Sequence, residues 1–380
     1  MLRFILYILC TIIISSECVP ELKLLHIVFS HKTYAPISEI INNNTVRFPS
    51  ALTYEYFHNI PLNMPNTGKL NMYNLGVYLR KTYGKFLGDV YSTEVMKMRT
   101  TEGALSIISG QLVNAGLWPP SEVQKWNDDF EWQPIPTDYV SMQRDVLLLG
   151  MHCPNFISEM TQVLNSEQVR KTMLHHLPLF EYVSHYTKRK IQRPSDIALV
   201  YATLETQADL NLSLPHWANE VFPHGGMYNV TLLEYDLLSH TPLQRQLNGG
   251  GIIKEIIGNS LKYIQGIMPH ERKMMIYSGN DKNIVGVLKN MGLWSPHIPN
   301  EAASLIFEMY FDNETQIYGI KVNYYTGMDS ETIALKIPSC TEICPLNTFL
   351  SLFFDVIPEN ENLLCKQKFS DLLDKEPPQN

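Results

Sequence analysis

Leu22-Lys23-Leu24-Leu25-His26-Ile27-Val28-Phe29-Ser30-His31 is the stretch on which the reading of the fold turns. Its apolar residues, at 22, 24, 25, 27, 28 and 29, run almost without interruption instead of alternating, the pattern of a strand buried on both faces of a sheet. Burial on both faces needs helices on both sides, so an α/β protein is expected. Residues 69–83 supply the first helix, with Met72, Leu75, Leu79 and Tyr83 spaced three or four apart and Asn66-Thr67-Gly68 available to start it. A second unit has the same grammar. Residues 90–98 are extended in character, Arg99-Thr100-Thr101-Glu102 resembles a helix start, Leu105, Ile108, Leu112 and Ala115 make a face, and Trp118-Pro119-Pro120 stops it. In the third unit, residues 273–277 form the strand, Ser278-Gly279-Asn280-Asp281 the junction, and Ile284, Val287, Leu288 and Met291 the helix face.

Ligands of open α/β sheets sit at the carboxyl ends of strands, so these three junctions are where chemistry is expected. Between the second and third units, residues 122–247 contain helical pieces and many Pro and His without β-α alternation, which reads as an inserted, mostly helical cap. Residues 305–311 and 317–325 alternate apolar and polar around Asp312-Asn313-Glu314-Thr315, a hairpin pattern. The expected fold is thus a mixed α/β sheet flanked by helices. Its core is split into residues 21–121 and 248–370, the cap lies between them, and a polar tail, 371–380, frays.

With 45% hydrophobic residues in 380, the chain can bury a large core. Its 30 basic side chains are outnumbered by 38 acidic ones, net charge −8, and no Lys/Arg cluster is long enough to track a phosphate backbone, which excludes nucleic acid. Met1-Leu2-Arg3 and the apolar residues 4–14 read as a signal peptide, assigned to residues 1–20, so the mature protein is expected to be secreted. No later run approaches the ~18 apolar residues of a membrane helix, so no membrane partner is expected.

Cleavage leaves four of the six cysteines, Cys153, Cys340, Cys344 and Cys365, and disulfides are the first reading in an oxidising compartment. Cys340-x-x-x-Cys344 has the spacing of a tight local bridge or half a zinc site, and no second Cys or His pair sits nearby to complete a metal. Sequons at Asn43, Asn211, Asn229 and Asn313 are expected on the surface.

The junction Phe29-Ser30-His31-Lys32-Thr33-Tyr34-Ala35-Pro36 resembles the signature of the histidine acid phosphatases, which reads Arg-His-Gly-x-Arg-x-Pro after a strand. Further matches follow in order: Leu70-Asn71-Met72-Tyr73-Asn74-Leu75-Gly76, Leu212-Ser213-Leu214-Pro215-His216-Trp217, Leu247-Asn248-Gly249-Gly250, Tyr277-Ser278-Gly279 and Ile306-Phe307-Glu308-Met309-Tyr310. The likeness is greatest to secreted insect members, which include venom acid phosphatases. It implies a cofactor-free phosphate monoester hydrolase in which a histidine attacks phosphorus, arginines clamp the phosphoryl oxygens and an aspartate protonates the leaving oxygen.

Carried over position by position, the resemblance makes His31 the nucleophile, Asp281 the proton donor and Arg99 a clamp arginine. Ser30 and Tyr34 stand where the signature has arginines, Asn280 where it has the histidine of a His-Asp pair, and Lys32 where it has glycine. Ser30, Tyr34 and Asn280 can offer neutral hydrogen bonds to a phosphate, and Lys32 can add a cation. Loss of two charge-assisted bonds removes about 3–6 kcal/mol, and a rate lower by ~10² to 10⁴ or more is expected. The resemblance therefore implies a feeble or inactive phosphatase kept for a binding or effector role. Its rival is a working enzyme that forms a phosphohistidine at His31. The same resemblance implies bridges Cys153–Cys365 and Cys340–Cys344, a phosphate monoester or small anion as ligand, and a homodimer.

Plainer readings stand beside these. Arg99 can pair with Glu102, and Asp281 can simply favour the positive end of a helix. His175, His176 and His185 lack the spacing and intervening glutamate of a zinc helix, so no metal is expected. Gly249-Gly250-Gly251 lacks the Lys-Ser/Thr of a phosphate loop and suits a close helix approach, and no serine sits in a Gly-x-Ser-x-Gly elbow.

Overall fold

The computed structural model describes residues 19–32, 64–209, 211, 213–327, 332–360 and 364–366. Most of the expected signal peptide, Tyr34, Asn43 and the tail 371–380 lie outside them. Among the described residues eight strands form one mixed sheet: β1 (Glu21–His31), β2 (Met96–Thr101), β3 (Asp138–Val140), β4 (Met274–Asn280), β5 (Ser304–Asp312), β6 (Ile317–Tyr325), β7 (Thr332–Leu335) and β8 (Cys344–Pro345). The order is β3-β2-β4-β1-β5-β6-β7, with β8 also on β6. Strands β3, β2, β4 and β1 run parallel, and β1 meets β5 antiparallel, which starts an antiparallel half continuing through β6 and β7.

Helices cover both faces, as the near-continuous apolar run of β1 requires. On one face Leu25, Ile27 and Phe29 pack with helices α1 (Asn66–Leu87) and α2 (Ala104–Leu117) through Met72, Leu75, Leu79, Val113 and Leu117. On the other, Val28 joins a cluster with helices α7 (Gly251–Ile264), α8 (Asp281–Asn290) and α9 (Leu346–Phe353), including Ile253, Ile256, Ile284, Val287 and Phe349.

The buried face of α2 differs from the expected one. Leu105, Ile108, Leu112 and Ala115 are only partly buried, and Ser106, Ser109, Gly110, Val113 and Gly116 face inward. The cause is close approach. A Cβ at Gly76 would lie 2.1 Å from the Val113 carbonyl oxygen, and one at Gly116 2.2 Å from that of Tyr73, so α1 and α2 cross with no side chain between them. The second strand also begins later than expected, and Arg99-Thr100-Thr101 completes it instead of opening a helix, because these residues pair with β4 and β3.

The stretch expected as the cap holds helices α3 (Pro154–Asn165), α4 (Glu167–Thr187), α5 (Pro194–Asp209) and α6 (Gly226–Leu237); α4, α5 and α6 share a core of Phe180, Val183, Ile197, Val200, Leu204, Met227 and Val230. The stretch 122–247 is not wholly cap: Asp138–Val140 adds the sheet's edge strand β3. Disulfides join Cys153 to Cys365 and Cys340 to Cys344. The hairpin β5–β6 forms as expected, with Asn313 exposed at its turn, and Asn211 and Asn229 are exposed as well.

Candidate active site

Strand register collects the three junctions at one edge. His31 lies opposite Asn280 and Ser30 opposite Gly279, while on the other side of β4 Arg99 pairs with Tyr277 and Thr100 with Ser278. Asp281 begins α8 directly after β4. The junctions are pinned together by two serines. Ser106 Oγ accepts from the Thr101 amide at 2.9 Å and donates to the Ser278 carbonyl at 2.8 Å, and Ser278 Oγ donates back to the Ser106 carbonyl at 3.0 Å. Both hydroxyls are buried and mutually satisfied, which fixes the ends of β2 and β4 against the start of α2.

His31 Nδ1 lies 3.3 Å from the Lys32 carbonyl oxygen. Burial lowers the His31 pKa, against the opposing pulls of that carbonyl and of Asp281. The imidazole is thereby biased to its neutral form, which has a lone pair free for attack. One Asp281 oxygen accepts a 2.5 Å hydrogen bond from the Tyr235 hydroxyl of α6. Burial, with the Asp281 carboxylate beside it, raises the Tyr235 pKa well above the ordinary value, so the phenol keeps its proton and donates. The cap therefore touches the site directly through Tyr235.

Two basic side chains expected at the site, Arg99 and Lys32, are both engaged with carboxylates. Arg99 Nη2 bonds Asp145 Oδ1 at 2.5 Å, and the Asp145 side chain is fully buried. Burial pushes the Asp145 pKa up, partly offset by Arg99 and by amides of the short helix that Asp145 caps, Val146–Leu149. Arg99 Nε and Asp145 Oδ2 are buried with no partner among the described residues. Lys32 Nζ lies 2.6 Å from Asp209 Oδ2 and 3.4 Å from Glu205 Oε2, both on cap helix α5. Its ammonium thus reaches toward the cap.

The neutral candidates are also committed. Asn280 caps α8: its side-chain oxygen accepts from the amides of Lys282 at 3.0 Å and Asn283 at 3.2 Å. Asn283 reciprocates to the Asn280 amide and donates to the Leu148 carbonyl, tying α8 to the short helix beneath Arg99. Ser30 is 1% exposed, and its hydroxyl donates to the His31 carbonyl at 3.3 Å. Tyr34 is outside the described residues.

His31, Asp281, Asn280, Ser30 and Lys32 are thus gathered at the joined ends of β1 and β4, and Arg99 at the neighbouring strand. Sequence reasoning missed Asp145, Tyr235, Glu205 and Asp209, which reach these residues across 46 to 177 positions. Only the Asp145-to-Leu148 helix cap left a local signal. Glu102, the partner considered for Arg99, instead accepts from the Met142 amide at 2.6 Å. Among the described residues no group of three or more His, Cys, Asp or Glu is arranged to hold a metal ion.

Residues 27–325 match the histidine phosphatase superfamily (branch 2). The venom acid phosphatase Acph-1 of Apis mellifera is 33% identical over 354 residues, covering 92% of this chain and 89% of its own length. Human prostatic acid phosphatase is 29% identical over 360 residues, covering 91% and 88% respectively. Among solved structures, the Klebsiella phytase superposes with a TM-score of 0.65 at 13% identity, covering 90% of this chain and 98% of that one. A Hafnia alvei phytase in complex with myo-inositol hexakis sulphate gives 0.64 at 15%, covering 92% and 99%. At such identity these two speak for the fold alone. With the matched region embracing all three strand ends at the site, the chain belongs to the histidine phosphatase superfamily, branch 2, and within it to the histidine acid phosphatases.

Proposed function

We propose that this is a secreted member of the family that hydrolyses phosphate monoesters feebly or not at all and is kept for a binding or effector role. The observation that carries the reading is the commitment of two expected phosphate-facing cations, Arg99 to Asp145 and Lys32 to Asp209 and Glu205. Asp281 adds a further carboxylate beside His31. A phosphate monoester brings about two negative charges, and its transition state is stabilised chiefly by positioned positive charge. Ser30, Tyr34 and Asn280, where the family signature has two arginines and a histidine, supply none.

Secretion is supported by the basic-then-apolar start of the chain and by the likeness to a venom acid phosphatase. The exposed sequons at Asn211, Asn229 and Asn313 support glycosylation. A phosphate monoester or other small anion is the ligand the family suggests, and a homodimer the assembly.

A second reading, a working acid phosphatase, is favoured by the neutral bias of His31 beside Asp281. Here an imidazole nitrogen bonds phosphorus as the ester P–O bond breaks, Asp281 gives its proton to the leaving oxygen, and water then releases phosphate from His31. Turnover of p-nitrophenyl phosphate at acidic pH separates the two. The expected rate is at or little above that of His31→Ala, and a robust rate abolished by that substitution overturns the first reading. Ser30→Arg, Tyr34→Arg and Asn280→His together should raise the rate by at least about 10² if lost charge is the cause.

A further inference from the structure

We propose that Glu205 and Asp209 determine the charge specificity of the site, holding the Lys32 ammonium away from the anion seat beside His31 and placing negative charge at its roof. The inference rests on the reading of the strand ends around His31 as an anion seat. It begins from position: Lys32 directly follows His31, so its backbone is fixed by the end of β1, while its Nζ lies 2.6 Å from Asp209 and 3.4 Å from Glu205, 177 and 173 residues along the chain.

The two carboxylates stand four residues apart on α5, on one face and one turn from each other. Like charges so placed repel, and the ammonium between them relieves that repulsion, so each group holds the others in place. The Lys32, Glu205 and Asp209 side chains are 17%, 30% and 36% exposed, partly shielded from water, which strengthens the tie relative to one in open solvent. Two carboxylates against one ammonium leave the roof negative, and Asp281 adds its charge from the strand edge.

Glu205 is held further by its surroundings. Burial raises its pKa, Lys32 opposes this, and Asp209 and Asp281 reinforce it; Tyr201 on α5 and Tyr235 on α6 face the same carboxylate. An incoming dianion thus meets a roof whose cation is already neutralised. Conversion of the two carboxylates to amides of the same shape removes their two charges and releases the Lys32 ammonium from both ion pairs.

The test is binding of inorganic phosphate, with vanadate as a second probe, by calorimetry on the full-length protein. Glu205→Gln/Asp209→Asn is expected to bind phosphate about tenfold tighter or more than wild type, and Asp209→Asn alone to show a smaller gain. Lys32→Met added to the double variant should abolish the gain. A double variant that melts as a folded protein yet binds no tighter overturns the proposal, as does a gain that survives Lys32→Met. Wild-type turnover of p-nitrophenyl phosphate reports separately on the proposed function: brisk wild-type hydrolysis refutes impaired catalysis without touching the Lys32 result, and an inert wild type with no gain in the amide variant refutes the specificity role alone.

Discussion

The floor and the roof of the site each hold one cation against carboxylate, in opposite ways. At the floor, Arg99 meets a fully buried Asp145 within the sheet body, on a short helix tied to α8 through Asn283. At the roof, Lys32 crosses from the sheet to a cap helix and meets two carboxylates that remain about a third exposed. The floor pair is part of the fold, and taking away one partner strands the other charge in the interior. The roof pair is a contact between two bodies within reach of water. Charge at the floor is therefore set by folding, and charge at the roof can change without unfolding the protein.

The largest effect should come from breaking the floor. Asp145→Ala leaves Arg99 uncompensated and uncaps the Val146–Leu149 helix, with an expected loss of about 3–5 kcal/mol in urea unfolding. A loss below ~1 kcal/mol would erase the contrast with the roof.

Acid separates the sheet from the roof. His26, in the middle of β1 and 1% exposed, has its pKa lowered by burial to about 3. Between that value and its ordinary 6.5 the unfolded chain binds a proton that the native one refuses, so stability falls as pH falls, by about 1.4 kcal/mol per unit. From pH 6.5 to pH 4.5 the expected loss from His26 is about 2–3 kcal/mol. His26→Leu should flatten that slope in thermal or urea melts, and an unchanged slope would place the acid sensitivity elsewhere. Glu205 acts in the other sense. Its raised pKa means that above the ordinary carboxylate range the native state takes up a proton more readily than the unfolded one, so acidification through that window relieves a cost.

The smallest effect is the roof itself. Asp209→Asn should change unfolding free energy by no more than about 1 kcal/mol, because a partly exposed ion pair contributes little. A loss as large as that of Asp145→Ala would show that the cap, like the floor, is held by its charges.

What could be read from residues alone divides along the same line. β1, α1, the β4–α8 unit and the β5–β6 hairpin were legible because apolar runs and, in the helices, apolar period report burial directly. The inward face of α2 was not, since Ser106 is held there by hydrogen bonds, Gly110 by close packing on Thr100 and Gly116 by backbone approach, none of which hydrophobicity registers. β3 is three residues long, too short for any period to show. At the site, the family resemblance indicated where His31, Asp281 and Arg99 should stand. It could not indicate their counter-charges, because pairs such as Lys32–Asp209 are made only when the cap folds down, and nothing local in either segment marks the other.

The Cys153–Cys365 bridge joins the first turn of the cap to the far end of the chain, across a sequence separation of 212. Everything between, including α3 to α6, β4 and α8, therefore lies inside one covalent ring. A protease that nicks the exposed Gln192-Arg193 segment ahead of α5 would open the ring without releasing a fragment, and the two pieces would part on a gel only after a reductant had been added.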